Sequence, residues 1–437
     1  MYILHIALIF ISTLFAHEGS LTYEKFYRLN NPLYKNHSGD WLGLAFKTEG
    51  PRRPLDYFLM GDLRLYFQDN NSLNYSVQEG FVRYQANAYR LTVGRQILDW
   101  NQNEKYWGLG YLNANQAFTL LSDKEEGLMG IHLHEEINPF EFDFLFSYIF
   151  IPQVNPSIKI KNGVIESHSE WMRLPPTKTV INGTIVPIYY KMKPYKASKI
   201  LLNKSLGANI KYKWEKGGAS GFAIYKPENK VRINAEAYYD NISLNQVVVE
   251  ADPTVNHHAY YGVQVYQLFG DVFARGGVSY VDPNARLGKD FPIEIRNARK
   301  TFTSDYFTIN PRYEREAYSH FSANLDRKKY ILSLNYIHIL TKITRGNDDF
   351  FSDTVKWKRA IGGRVTYLFN DFFNILLDMK YDIARFDNII KSEINYNYQN
   401  KIKIAVGLEM LKAPQDTSYW SYYRANDTIY SSLGFYF

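Results

Sequence analysis

The 437-residue sequence contains no cysteine. Disulfides, thiolate nucleophiles and thiolate metal ligands are excluded, and no thiol in these residues can carry a lipid. Beyond the N-terminus there is no run of the roughly 20 apolar residues that a transmembrane helix requires, and the mean hydropathy is only −0.35. Blocks of one charge are missing too: 51 Lys and Arg stand against 44 Asp and Glu, a net +7 spread along the chain. That distribution does not imply nucleic acid as a partner. Aromatic residues, by contrast, are plentiful at 16%, with 37 Tyr and 28 Phe.

These aromatics recur with period two. Residues 140–150 place Phe140, Phe142, Phe144, Phe146, Tyr148 and Phe150 on one face and Glu141, Asp143 and Ser147 on the other. Successive side chains of a strand face opposite sides. An apolar face next to a charged one suits a strand with lipid on one side and a polar lumen on the other. Residues 56–68, 205–215, 372–383 and 401–410 repeat the pattern, and weaker copies include 88–97, 129–134, 231–239, 259–269, 272–280 and 317–325. Each is roughly the ten residues that cross a bilayer at barrel tilt. The alternation slips near Glu79 and Gly80, which predicts a bulge.

Short turns, among them 227–230, 270–271 and 399–401, alternate with long polar links such as 243–256, 282–315 and 341–355. The expected fold is all-β: an antiparallel up-and-down transmembrane barrel of about 16 to 18 strands. Counted back from Phe437 the strand order is consistent to Ser205. Upstream, the short link at 135–139 falls on the wrong side, so one crossing is missed or invented, with 151–203 the expected place.

Residues 3–16 form an uncharged, mostly apolar run that reads as a signal peptide cleaved after Ala16. The organisation expected is a signal peptide at 1–16, an N-terminal periplasmic segment at 17–40, and a barrel over 41–437 with long loops at 98–125 and 151–204. The location expected is the outer membrane of a Gram-negative-type bacterium, with its lipid and lipopolysaccharide as partners.

The most distinctive string runs from Gly94-Arg95-Gln96 through Trp100 to Trp107-Gly108, Gly110 and Leu112-Asn113. It resembles a segment of alginate-export-type porins and capsule-surface barrels, in which a Gly-Arg-Gln strand end leads into a Trp- and Gly-containing stretch. Here Asn101 follows Trp100 where Gly is usual. The last residues place Ile429, Ser431, Leu433, Phe435 and Phe437 on one face, which resembles the closing strand of outer-membrane barrels. The resemblance implies that Phe435 and Phe437 are read by the barrel-assembly machinery.

Arg95, Gln96, Trp100 and Trp107 are candidates for anchoring a folded-in loop or forming a constriction. Strict alternation from Leu91 and Val93 turns Arg95 outward at the rim; the competing reading has it pin the loop through hydrogen bonds. Asp62, Arg64, Arg90, Glu141, Asp143, Lys211, Lys213, Arg232, Glu236, Arg275, Arg364, Asp378 and Lys380 are expected to line the lumen. Their slight basic excess favours anions, unless they serve mainly as a pairing network in the wall. His132 and His134 share a face, but sequence places no acidic partner near them, so no metal is assigned. His320 and Ser322 share a luminal face without a nucleophile elbow, so no catalytic residue or cofactor is assigned.

The function expected is a channel for small hydrophilic solutes. The alternatives are a plugged barrel acting as a surface polysaccharide-binding, adhesive or structural protein, and a barrel enzyme such as a phospholipase. Whether 99–116 and 151–203 leave an open path separates the first two.

Overall fold

The structure, a computed structural model, describes residues 18–30, 38–50, 54–67, 72–86, 88–116, 121, 124–155, 158–167, 169, 171–172, 174–181, 183–240, 245–283, 306–309, 315–341, 355–416 and 418–437. The expected signal peptide and most of 282–315 and 341–355 lie outside these.

Eighteen antiparallel strands close into one barrel. In chain order they are β1 (Glu18–Arg28), β2 (Ser38–Glu49), β3 (Leu55–Tyr66), β4 (Ser72–Ala86), β5 (Tyr89–Gln96), β6 (Leu128–Ile137), β7 (Phe140–Ser147), β8 (Ser205–Trp214) and β9 (Gly217–Pro227). There follow β10 (His257–Phe269), β11 (Val272–Asp282), β12 (Glu316–Arg327), β13 (Tyr330–Ile339), β14 (Arg359–Leu368), β15 (Phe373–Asp382), β16 (Asp387–Tyr398), β17 (Ile402–Lys412) and β18 (Thr428–Tyr436). Each pairs with its sequence neighbours in this order, and β1 closes the barrel against β18 in a register that sets Ser20 opposite Tyr436 and Arg28 opposite Thr428. Closure leaves no strand edge unpaired, a condition for backbone in hydrocarbon.

The alternating pattern sets which side faces lipid. In β7, Phe140, Phe144 and Phe146 are exposed while Glu141, Leu145 and Ser147 are buried. Mid-strand Val263, Leu334, Ile394 and Val406 are exposed by 57, 59, 53 and 52%. In water such a belt around the whole wall would be a large uncovered apolar surface; a bilayer covers it. The alternation of β7 stops at Tyr148, and Phe150, expected on the lipid side, is buried.

One barrel end carries the short links 50–54, 87–88, 138–139, 215–216, 270–271, 328–329, 369–372 and 399–401, together with Glu18 and Phe437. The other carries the long links 97–127, 148–204, 228–256, 283–315, 340–358 and 413–427. Beyond that end, Lys178–Ile181, Thr184–Met192, Gln246–Thr254, Arg232–Asp240 and Tyr306–Ile309 form a separate five-stranded sheet. The link 148–204 also holds a hairpin of Ile158–Lys161 and Val164–Ser167.

Three expectations about the crossings need correction. Residues 18–28, expected in an N-terminal segment, are barrel strand β1. Residues 217–227 are a crossing that the alternation hid, because β9 carries Gly217, Ala219, Gly221 and Ala223 on its lipid side and Phe222 and Ile224 on its buried inner side. Residues 231–239 do not cross; they belong to the outer sheet, and 227–230 lies at the long-link end. Residues 151–203 contribute no crossing, and the link 138–139 lies twelve crossings back from Phe437, hence at the same end; β1 lies upstream of it.

Candidate functional site

The segment 97–127 folds into the barrel, and its geometry starts at Gly94. That residue has φ +138°, and a Cβ there would sit 2.3 Å from the Gly80 carbonyl oxygen, so only glycine fits. On the partner strand β4, Gln78 is an extra residue between Val77, opposite Gly61, and Glu79, opposite Met60. This is the bulge expected near Glu79, and bulges re-aim side chains. Arg95, which strict alternation would point outward, is instead buried, 5% exposed. It donates to the carbonyls of Gly127 (2.8 Å) and Val77 (2.6 Å) and pairs with the fully buried Glu126 at 3.2 Å. Arg95 thus pins both ends of the inward segment, and the rim placement is corrected. Gln96 lies at the start of this turn, partly buried.

From there the segment follows the inner wall. Trp100 is 3% exposed and packs with Leu98, Leu112, Phe222 and Tyr260, while its carbonyl accepts from Gln264 at 2.6 Å. Asn101 donates to Tyr260 at 2.7 Å, and Asn103 contacts His320 Nδ1 at 2.8 Å. The short helix α1 (Gln102–Trp107) then carries Tyr106 to Asp378 (3.1 Å). Trp107 is 2% exposed and sits against Trp357, ring centroids 5.3 Å apart. Trp357, Trp420, Tyr423 and Trp171 continue this aromatic cluster through three different long links. Each buried side chain of this size adds roughly 1.5–3 kcal/mol, so Trp100 and Trp107 fasten the two ends of the stretch that carries α1. Glu104, on α1, accepts from the Leu112 backbone N–H at 2.6 Å, and burial pushes its carboxyl up to about 7.

Opposite the inward segment the described residues leave a cavity. It has a volume of about 470 Å³ and runs along β1 to β3 and β14 to β18, bounded across the lumen by Leu121, Lys124 and Trp171. Every second residue of β18 from Thr428 to Tyr436 lines it. Its charged groups are Arg64, Lys124, Arg364, Lys391 and Lys403 against Glu24, Asp378, Glu393 and Glu409. They are paired across strands: Arg364 with Asp378 at 2.5 Å, Lys391 with Glu409 at 2.9 Å, and Lys403 with Glu393 at 3.4 Å.

Of the residues expected in the lumen, Arg64, Arg364 and Asp378 line this passage. Lys380 holds the Tyr106 carbonyl at 2.7 Å, and Arg275 holds Gln102, so both secure the inward segment. Asp62 is buried and accepts from Gln116 at 2.6 Å, again anchoring that segment. Arg90, Glu141, Asp143, Lys211 and Lys213 face inward near the short-link end, outside the passage lining. Arg232 is not luminal: it pairs with Glu228 and reaches the Pro283 carbonyl at 3.2 Å. Glu236 shares the Arg232 strand in the outer sheet, paired with Glu250, and its side chain is outside the described residues. Phe435 and Phe437 are exposed on the outer face beside the closing seam. Glu24, Trp41 and Tyr430 also line the passage; the signal for Glu24 is the alternation of Thr22, Glu24 and Phe26, and that for Tyr430 is its place on the face opposite Ile429, Ser431 and Leu433.

No known family and no curated protein sequence matches the chain. Among solved structures it is similar to the outer membrane protein opdK from Pseudomonas aeruginosa, at 9% identity over 96% of this chain and 98% of that one, TM-score 0.49. It is also similar to Pseudomonas aeruginosa OccK2, at 8% identity over 96% of both chains, TM-score 0.48. A third is Salmonella typhi OmpF in complex with daunomycin, at 12% identity over 96% of both, TM-score 0.44. At these values the likeness assigns neither a family nor a solute.

Proposed function

We propose that the chain is a bacterial outer-membrane channel that passes small hydrophilic solutes by diffusion. The observation that carries this reading is the polar cavity left between the inward segment and the wall. The stretch of β18 that lines it, Thr428 to Tyr436, is about 26 Å long at about 3.3 Å per residue. Spread over that length, 470 Å³ leaves the centre of a water molecule a cross-section of roughly 18 Å² to move in. Such a passage admits water, ions and small solutes and has a much lower conductance than an empty 18-stranded barrel. Its lining charges leave a net +1, which supports a weak preference for anions. The closed barrel and its apolar belt support the membrane location, with lipid and lipopolysaccharide as surroundings. Phe435 and Phe437, exposed beside the seam, are in position to be read by the assembly machinery. No chemistry is assigned to Ser322 or to His320, which Asn103 engages.

The cluster of Trp107, Trp171, Trp357 and Trp420 favours a second reading, a plugged surface barrel, because it ties the inward segment to the long links. Single-channel recording in planar bilayers separates the two. Discrete small openings are expected; a folded, inserted protein that never conducts overturns the channel and leaves the plug.

A further inference from the structure

We propose that His134, Glu136 and Glu141 form a site for a divalent transition-metal ion, facing the lumen near the short-link end, with the Lys213 ammonium as its displaceable counter-ion. One ring nitrogen of His134 and one carboxylate oxygen from each glutamate lie within 4.8 Å of one another, and no other such group of three occurs among the described residues. Imidazole with two carboxylates is a ligand set suited to zinc and its first-row neighbours.

Register explains why these groups meet. Across the β6–β7 pair, His134 is opposite Asp143 and Glu136 is opposite Glu141. Like charges directly opposite one another destabilise a sheet, so a cation belongs between the two glutamates. In this structure Lys213, from the adjoining strand β8, supplies it, bonded to Glu141 and 3.9 Å from Glu136. Its side chain is 45% exposed, so it can swing into the lumen.

The surroundings fit a metal. Asp143 contacts His134 Nδ1 at 2.7 Å and is itself held by Asn209 at 2.9 Å and Lys211 at 3.7 Å. A carboxylate on one imidazole nitrogen orients the ring and leaves the other nitrogen for a metal. The opposing term is Arg90, which faces His134 from β5. With Arg90 and Lys211 counted, three carboxylates face three cations, and exchanging Lys213 for a divalent ion adds one positive charge. That favours a metal held by directional nitrogen and oxygen bonds over one held by charge alone.

The test is titration of the tag-free, folded barrel in detergent with Zn²⁺ by calorimetry and with Co²⁺ by visible absorption, neither of which depends on conduction. One saturable site per chain is expected, weakened at least tenfold by His134→Ala and by Glu141→Gln. Lys213→Met removes the competing ammonium and is expected to tighten binding. Heat-modifiable migration in gels confirms that each variant folds. The proposal is overturned if no saturable binding occurs up to millimolar metal. It is overturned equally if His134→Ala binds as well as the parent, or if Lys213→Met weakens binding as His134→Ala does.

Discussion

Replacing Arg95 by Met should release the inward segment while leaving the barrel closed. Arg95 makes three contacts, and one partner, the Glu126 carboxylate, is fully buried. Without the guanidinium that charge keeps only the Ser76 hydroxyl as donor among the bonds described. Breaking a buried pair by removing one partner costs about 3–5 kcal/mol, because the other is left uncompensated. If the cost falls on docking of 97–127, protection of its amides against hydrogen exchange drops roughly 100-fold to several thousand-fold. The wall strands keep theirs, and conductance rises as the segment leaves the lumen. Adding Glu126→Gln to Arg95→Met removes the stranded charge and recovers part of the loss. Unchanged protection of 98–116 in Arg95→Met would refute the anchoring role, as would a double variant less stable than the single one.

Trp107→Ala, which empties the contact with Trp357, should cost about 3–5 kcal/mol in docking and raise conductance, read by hydrogen exchange and bilayer recording. Glu104, with its carboxyl pushed up to about 7 by burial, favours docking most below its unfolded value of about 4.5, and that contribution is lost as pH rises through about 7. Protection of 102–116 should therefore fall between pH 5 and pH 8 in the parent and stay level in Glu104→Gln. Arg364→Glu turns the net charge of the passage lining from +1 to −1, so the reversal potential in a salt gradient should move toward cations; no movement would place Arg364 outside the conducting path.

Crossings were legible in sequence wherever one face meets lipid and the other meets polar groups, as in β7, β8, β15 and β17. They were hidden where that contrast fails. β9 packs Phe222 and Ile224 against Trp100 inside the barrel and shows the lipid small residues, so its pattern is inverted. Arg232–Asp240 alternates well enough to pass for a crossing, because an outer sheet obeys the same period of two. Arg95 illustrates a further limit: the slip near Glu79 betrays the extra residue on the neighbouring strand, but the positive φ of Gly94, which goes with the inward turn of Arg95, is not visible to a count by twos. The wall side of the passage was legible, since Arg64, Arg364 and Asp378 were placed by alternation. Which luminal charges the inward segment would cover depended on contacts such as Lys380 to Tyr106 and Arg275 to Gln102, more than a hundred residues apart.

Because the chain contains no cysteine, Ser432→Cys puts a single thiol midway along the passage wall. Recording single channels of this variant while adding a small charged, thiol-specific methanethiosulfonate reagent tests most directly whether the cavity along β18 is the conducting path. The account predicts discrete openings that drop or close once the reagent reacts, from either side of the bilayer, with the cysteine-free parent unaffected. A thiol that reacts fully while the current stays unchanged would contradict it.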